Sequence, residues 1–368
     1  MNVGITFGGY CPMHRGHLDC IMKAKKENDI CFVVVCGYKD EPRAEEINMS
    51  LDERYKAVKE FFKGDEQVVV LKVDDTELGI DESMCDENWK IWHDAVYKQM
   101  YPFVFETLKK MCDSITQYKY YVAEAFYQQK IGANIGYPCV LVPKKIDISG
   151  TKIRKNPLKY WDYIVPTYRP YLTKNILIIG TASEGKTTLV KDIHRYYGLS
   201  YTEEYARQYM ADKNITDVDL TYADFKQFLI GQHDAINTAI HYSGNRGITI
   251  HDSSNLTTLM YAWAYANDPD INLTMDEYER LETLARCLER DVKWDKIILI
   301  KPHGKFVDDG TRYMKQSSMD ERMSNYKKLL ELLETFGLLD KVIEIGGTYL
   351  ENFEFVKATI ESFHKIYK

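Results

Sequence analysis

The stretch GTASEGKT, residues 180–187, decides how this chain is read. It fits G-x-x-x-x-G-K-[ST] at every position. The apolar run NILII precedes it, and KTTLVKDIHRYYG follows with helical spacing. Strand, glycine turn and helix in that order make a phosphate cradle. Gly180 and Gly185 let backbone N–H groups close round a phosphate, and the helix N-terminus adds its dipole. Lys186 reaches the outer phosphates, the Thr187 hydroxyl binds Mg2+, and Thr188 completes the ATP set in the first helical turn. Average residue frequencies give roughly 0.01 chance matches in a chain this long, so the pattern is read as a nucleotide site.

Downstream, GITIHDSSN puts Asp252 just past a strand, where a carboxylate meets Mg2+ or its waters. An Asp in that position also caps helices. Glu203, Glu204 and Arg207 in TEEYARQYM follow a short strand; a solvated first helical turn is the plainer account of them. The segment KPHGKFVDDGTRYM follows another strand and reads as a lid whose Arg312 stabilises charge on the transferring phosphoryl group, or else as a surface loop. The strands KIILIKP and KVIEIG and two amphipathic helices, the second near the end of the chain, complete an α/β pattern.

Upstream, VGITFGGYCPMHRGH, residues 3–17, is a second strand–loop–helix unit. Its spacing is G-x-Y-x-P-x-H-x-G-H, with Gly8, Tyr10, Pro12, His14, Gly16 and His17 in register. Such a loop stands at the C-terminal edge of a parallel sheet, where α/β folds bind nucleotides. His14 and His17 can donate hydrogen bonds to phosphate oxygens as negative charge grows. They could also share a metal at i, i+3, but no cysteine or carboxylate completes a recognisable set. Near residue 150, IDISGTKIRKNP sets Ser149, Thr151 and Arg154 at the start of a helix after the strand YPCVLVP. They are helix caps or, together with the first motif, a second phosphate clamp. Between the two motifs lie the strands CFVVVCG, QVVVLKV and YKYYVAEA, and a long helical segment with an expected break at Pro102.

Strands alternating with helices on both sides of residue 170 predict two α/β domains with mainly parallel sheets, residues 1–165 and 174–368. The connection, residues 155–175, holds three prolines and five Tyr or Trp residues, too aromatic for a flexible tether. With 368 residues and 45% hydrophobic content, both cores can be filled. The net charge of −7 argues against a broad nucleic-acid face. Eight cysteines without a C-x-x-C pair argue against a zinc cluster or a disulfide framework. No apolar run reaches membrane-spanning length and no signal peptide is evident, so a cytoplasmic protein is expected. A homo-oligomer is compatible with the sequence.

The motif pair G-x-Y-x-P-x-H-x-G-H and ISGTKIR resembles the nucleotidyltransferase superfamily in its adenylyltransferase form; no K-M-S-K-S points to a synthetase. With NWKIWHDAV, EEYARQYM, HDSSNLTT and VDDGTR in order, the chain is similar, nearly end to end, to the bifunctional NadR family. Tyr10 stands where phenylalanine is usual. The resemblance implies a Rossmann-like nicotinamide mononucleotide (NMN) adenylyltransferase domain followed by a P-loop ribosylnicotinamide kinase domain, with Mg2+ as cofactor and ATP as co-substrate. Ligands would be ATP, NMN, ribosylnicotinamide and NAD. Larger family members begin with a helix-turn-helix module that this chain is not expected to carry. By position, Phe7, Gly8, Gly9, His14, His17, Ser149, Thr151 and Arg154 would bind ATP in the first domain, His17 acting at the α-phosphate. Trp89 or Trp92 would stack on nicotinamide, unless both are ordinary core aromatics. In the second domain Glu204, Arg207 and Asp252 would hold the riboside, with Asp252 or Glu204 orienting its hydroxyl and Thr187 and Asp252 binding Mg2+. Alternatives are an adenylyltransferase for another phosphorylated substrate fused to a kinase, and a non-catalytic nucleotide sensor.

Overall fold

The computed structural model describes residues 1–80, 85–111, 117–269, 271–303, 306 and 317–365. The chain divides into two compact units, Met1–Leu172 and Thr173–Lys368.

The first unit runs β1 (Asn2–Gly8), α1 (Arg15–Glu27), β2 (Ile30–Gly37), α2 (Pro42–Glu45), α3 (Leu51–Phe61), β3 (Val68–Asp74), α4 (Asp86–Met111), β4 (Gln117–Val122), α5 (Ala125–Asn134), β5 (Cys139–Leu141), α6 (Gly150–Lys155) and α7 (Arg169–Leu172). All strand pairs are parallel, in the order β3-β2-β1-β4-β5. β2 shows why helices cover both faces. Its run is apolar throughout, so alternate residues need separate cores. Cys31, Val33 and Val35 pack with Ile21 and Ala24 of α1 and Ala57 and Val58 of α3. Phe32 and Val34 pack with Trp89, Trp92 and Val96 of α4 and Ile131 of α5. The chain leaves β1 for β2 on one side and later returns to β4 on the other. This reversal opens a crevice at the C-terminal ends of β1 and β4.

One expectation changes. α4 continues through Pro102. Proline removes one helical N–H bond there, while Val96, Met100 and Val104 hold both sides of the helix to the core. The aromatic segment after residue 155 belongs to the first unit. Trp161, Ile164, Val165, Tyr168 and Leu172 all enter its core. His14 and Ile164 form an antiparallel bridge, and the Val165 N–H donates to the Met13 carbonyl at 3.2 Å. The segment therefore braces the histidine loop from behind.

The second unit runs β6 (Lys174–Gly180), α8 (Lys186–Tyr197), β7 (Ser200–Thr202), α9 (Tyr205–Lys213), α10 (Tyr222–His241), β8 (Ile248–Asp252), α11 (Asn255–Ala266), α12 (Met275–Glu289), β9 (Lys296–Ile300), α13 (Met319–Thr335), β10 (Val342–Ile345) and α14 (Tyr349–Lys365). Its parallel order is β10-β9-β6-β8-β7. β6 is central, so the loop after it leaves the middle of the sheet. Register pairs Ile178 with Asp252, which carries Asp252 to the same edge as that loop. Among the described residues no helix is long and apolar enough to cross a membrane.

Candidate active sites

In the first unit a cavity of about 290 Å3 lies at the β1/β4 crevice. Its lining includes Phe7, Gly8, Gly9, His14, His17, Ser149, Thr151 and Arg154, so two motifs more than 130 residues apart share one cavity. The chain leaves β1 through Tyr10, whose φ of 45° turns it sharply. The Tyr10 hydroxyl pairs with Thr6 Oγ1 at 3.2 Å, and its ring packs edge-on to His17. Tyrosine at this position therefore adds an internal hydrogen bond.

His14 caps α1, and its imidazole stacks on that of His17 with centroids 3.8 Å apart. The His14 N–H donates to His17 Nδ1 at 3.2 Å. That nitrogen carries no proton, so the His17 proton sits on Nε2. Desolvation, then the neighbouring His14 and Lys144, hold His17 well below the ordinary histidine range. Burial lowers His14 to about 4. Both rings are neutral at pH 7 and act as hydrogen-bond donors rather than cations. His14 Nδ1 is buried without a hydrogen-bond partner among the described residues.

Ser149 caps α6, accepting the Lys152 N–H at 3.2 Å. A Cβ on Gly150 would stand 2.7 Å from the Cys11 carbonyl, so glycine lets the two loops meet. Arg154 joins them, donating to the Cys11 carbonyl at 2.7 Å and to Thr151 Oγ1 at 3.2 Å. Trp89 and Trp92 are each 2% exposed and do not line the cavity. They pack on Phe7, with centroids 6.1 and 5.0 Å away, while Tyr127, 5.4 Å from Phe7, does line it.

In the second unit the P-loop is formed as its spacing requires. Gly180, Ser183 and Gly185 all have positive φ. A Cβ on Gly180 would meet the Ile300 carbonyl at 2.8 Å. Lys186 is buried, and its ammonium donates to the Thr181 carbonyl at 2.6 Å. Thr188 is exposed in the first turn of α8. The Thr187 hydroxyl donates to Asp252 Oδ2 at 2.5 Å. Burial pushes the Asp252 carboxyl up, with Lys186 opposing, and Oδ1 is buried without a hydrogen-bond partner among the described residues. Ser253, next in the chain, has φ of 81°, a local strain at the strand end.

Glu204 caps α9 and pairs with Arg207 at 2.8 Å. Both line a second cavity whose walls include Ala182 of the P-loop and Phe225, Phe228, Tyr261 and Tyr265. Arg312 lies outside the described residues.

Motif reading missed the side chains that brace these loops. Arg54 is fully buried, pairs with Glu41 at 2.8 Å and donates to the Gly9 carbonyl. Arg322 is 1% exposed and donates to Glu184 of the P-loop and to the His303 carbonyl. One signal was available. Arg54 shares the helical phase of Ala57 and Val58, and Arg322 that of Tyr326 and Leu329. An arginine in an apolar stripe implies a buried partner. Lys144 and Arg43, which also line the first cavity, lie in no motif. Gln232 accepts the Tyr205 N–H at 2.8 Å, tying α10 to the start of α9, again with no local signal.

Residues 5–156 match the cytidylyltransferase-like family, and residues 175–351 match the AAA domain family. Over 97% of its length the chain is 25% identical to the trifunctional NAD biosynthesis/regulator protein NadR of Salmonella typhimurium, covering 83% of that protein. The Escherichia coli protein of the same name is 25% identical over 90% of this chain and 76% of its own. A crystal structure of a NadR protein in complex with NAD and AMP-PNP is similar with a TM-score of 0.81 and 28% identity, over 98% of this chain and 96% of that one. Another, in complex with NR, gives 0.76 and 29%, over 93% and 90%. Domain order, sheet architecture and similarity along nearly the whole chain agree: this protein is a homologue of NadR, with a cytidylyltransferase-like domain followed by a P-loop domain.

Proposed function

We propose that the chain catalyses two successive steps of NAD formation. The second domain transfers the ATP γ-phosphoryl group to the 5′-hydroxyl of ribosylnicotinamide, giving NMN. The first domain transfers the adenylyl group of ATP to NMN, giving NAD and pyrophosphate. The observation that supports this reading is one cavity whose lining includes Ala182 of the P-loop together with Phe225, Phe228, Tyr261 and Tyr265. It suits a riboside with its hydroxyl toward the P-loop and its flat ring among Phe225, Phe228, Tyr261 and Tyr265. The NadR relative in complex with NR supports the same ligand class.

In the kinase step the backbone of residues 180–187 and Lys186 hold the phosphates. Thr187 and Asp252 fit Mg2+, since a carboxylate oxygen buried without a hydrogen-bond partner among the described residues belongs to the carboxylate that accepts the Thr187 hydroxyl. When bound, the ion would neutralise charge on the phosphate chain. With Asp252 committed there, Glu204 orients the riboside hydroxyl and Arg207 fixes Glu204. In the adenylyl step the NMN phosphate is already ionised and attacks the α-phosphorus without a general base. His17 donates from Nε2 to the α-phosphate, and His14, Ser149, Thr151 and Arg154 hold the rest of the chain of phosphates. Trp89 and Trp92 act on a bound nicotinamide through Phe7, whose ring they support.

Incubation with ribosylnicotinamide, ATP and Mg2+, followed by chromatography, is expected to give NMN and then NAD. Appearance of neither product at saturating substrate would falsify the bifunctional reading.

A further inference from the structure

The two carboxylates proposed to act in phosphoryl transfer sit on different turns. Glu204 precedes α9, and Asp252 ends β8. Glu204 acts electrostatically on Asp252, so the two stand close enough to repel. Packing them together needs a tie between the turns that leaves both charges in place. Gln232 of α10 has the chemistry for it. The residue is buried, with 2% exposed. Its Oε1 accepts the Tyr205 N–H at 2.8 Å, a donor that the start of α9 leaves without a helical acceptor. That bond fixes the orientation of the amide, so Nε2 is the donor on its other side. Nε2 donates to the Glu203 carbonyl at 3.4 Å and to the Ser253 carbonyl at 3.5 Å. One neutral side chain thus bonds the residues on either side of Glu204 and the residue after Asp252. Ser253 has φ of 81°, and its N–H donates to the Ile178 carbonyl at 3.1 Å. Strained backbone of this kind persists only where surrounding bonds over-determine it. Gly231, next to Gln232, lets α10 come this near: a Cβ there would stand 2.2 Å from the Tyr205 ring. Glycine inside a helix costs helix stability, and the close approach is what it provides in return.

Resting on the riboside-kinase reading, we infer that Gln232 is a positioning residue for phosphoryl transfer. It holds the turn of Glu204 against the turn of Asp252, and so sets the reach of the Glu204 carboxylate toward the riboside hydroxyl. A lysine or arginine in its place would draw off the negative charge that the step uses. Glutamine supplies an acceptor and two donors and no charge.

The test is a double-mutant cycle in the full chain with ribosylnicotinamide, ATP and Mg2+. Gln232→Met keeps the length and bulk of the side chain and removes its hydrogen bonds. We expect it to lower kcat about tenfold, with KM for ATP within about twofold and NAD formation from supplied NMN unchanged. Glu204→Gln should lower kcat about a hundredfold and leave a measurable rate. In that background Gln232→Met should cost less than about twofold, because the carboxylate it positions is gone. The same loss in both backgrounds overturns the inference. So does an unchanged kcat in either single variant. If Gln232→Met does not fold, Gly231→Ala takes its place in the cycle, with the same expected and overturning outcomes. Absence of riboside phosphorylation by the unmodified chain overturns the kinase reading, and this inference with it.

Discussion

The two loops proposed to hold phosphates in this chain solve one problem by different means. GTASEGKT is contiguous, with backbone N–H groups, a lysine and the Thr187 hydroxyl supplied within eight residues. GGYCPMHRGH forms half a site. It offers two neutral imidazoles, and its counterpart, the start of α6, arrives from beyond residue 148. Each loop is nevertheless braced alike, by a buried arginine. Arg54 pairs with Glu41 and holds the Gly9 carbonyl; Arg322 holds Glu184 and the His303 carbonyl. Local chemistry and remote bracing are therefore separable, and mutations can address them one at a time.

The largest effect should fall on local chemistry. Lys186→Ala is expected to lower riboside phosphorylation on the order of a thousandfold while NAD formation from supplied NMN persists. His17→Ala should do the reverse. If either variant lost both activities with its fold intact, the picture of two independent sites would fail.

Bracing comes next. Arg54→Met is expected to destabilise the first domain by about 3 kcal/mol, the lower end for a broken buried pair, because Arg43 still faces Glu41. Riboside phosphorylation should be retained. Arg322→Met should weaken the kinase instead. Domain-resolved melting together with the two activity assays reads both; equal losses in both domains would argue against local bracing.

A pH titration gives a smaller difference. Burial lowers His14 from 6.5 to about 4. Below pH 6.5 the unfolded chain takes up a proton that the folded chain refuses, so stability is present above 6.5 and lost as pH falls toward 4. At pH 5.5 the loss is on the order of 1 kcal/mol. His14→Asn should remove this share of the acid sensitivity of the first domain; an unchanged melting profile from pH 7 to 5 would contradict it.

The smallest effect concerns the join between the two halves of the first site. Gly150→Ala brings a Cβ against the Cys11 carbonyl, and a few-fold rise in KM for ATP in adenylyl transfer is expected. Kinase kinetics serve as the control.

The residues most legible in sequence were those whose chemistry needs a fixed local spacing. Gly180, Gly185, Lys186 and Thr187 were readable because a phosphate cradle is one strand, one turn and one helix. Alternating apolar runs likewise announced parallel strands covered on both faces. His14 and His17 could be placed together from their i, i+3 spacing, but joining them to Ser149 and Arg154 was one of two open readings, because no local spacing links segments more than 130 residues apart. Trp89 and Trp92 show the limit from the other side. The resemblance gave them a stack on nicotinamide or a place in the core, and the fold buries both against Phe7.

By itself, then, the amino-acid sequence determined two α/β domains and two candidate phosphate loops, since backbone turns and hydrophobic periodicity are local properties. Tertiary structure alone decided which β-strands flank β1 and β6, and so where the crevice opens and what reaches it. It brought Asp252 to Thr187, α6 to the histidine loop, and Arg54 and Arg322 beneath their loops. Such pairings depend on strand order and on the burial of charge, which are set only when distant segments pack.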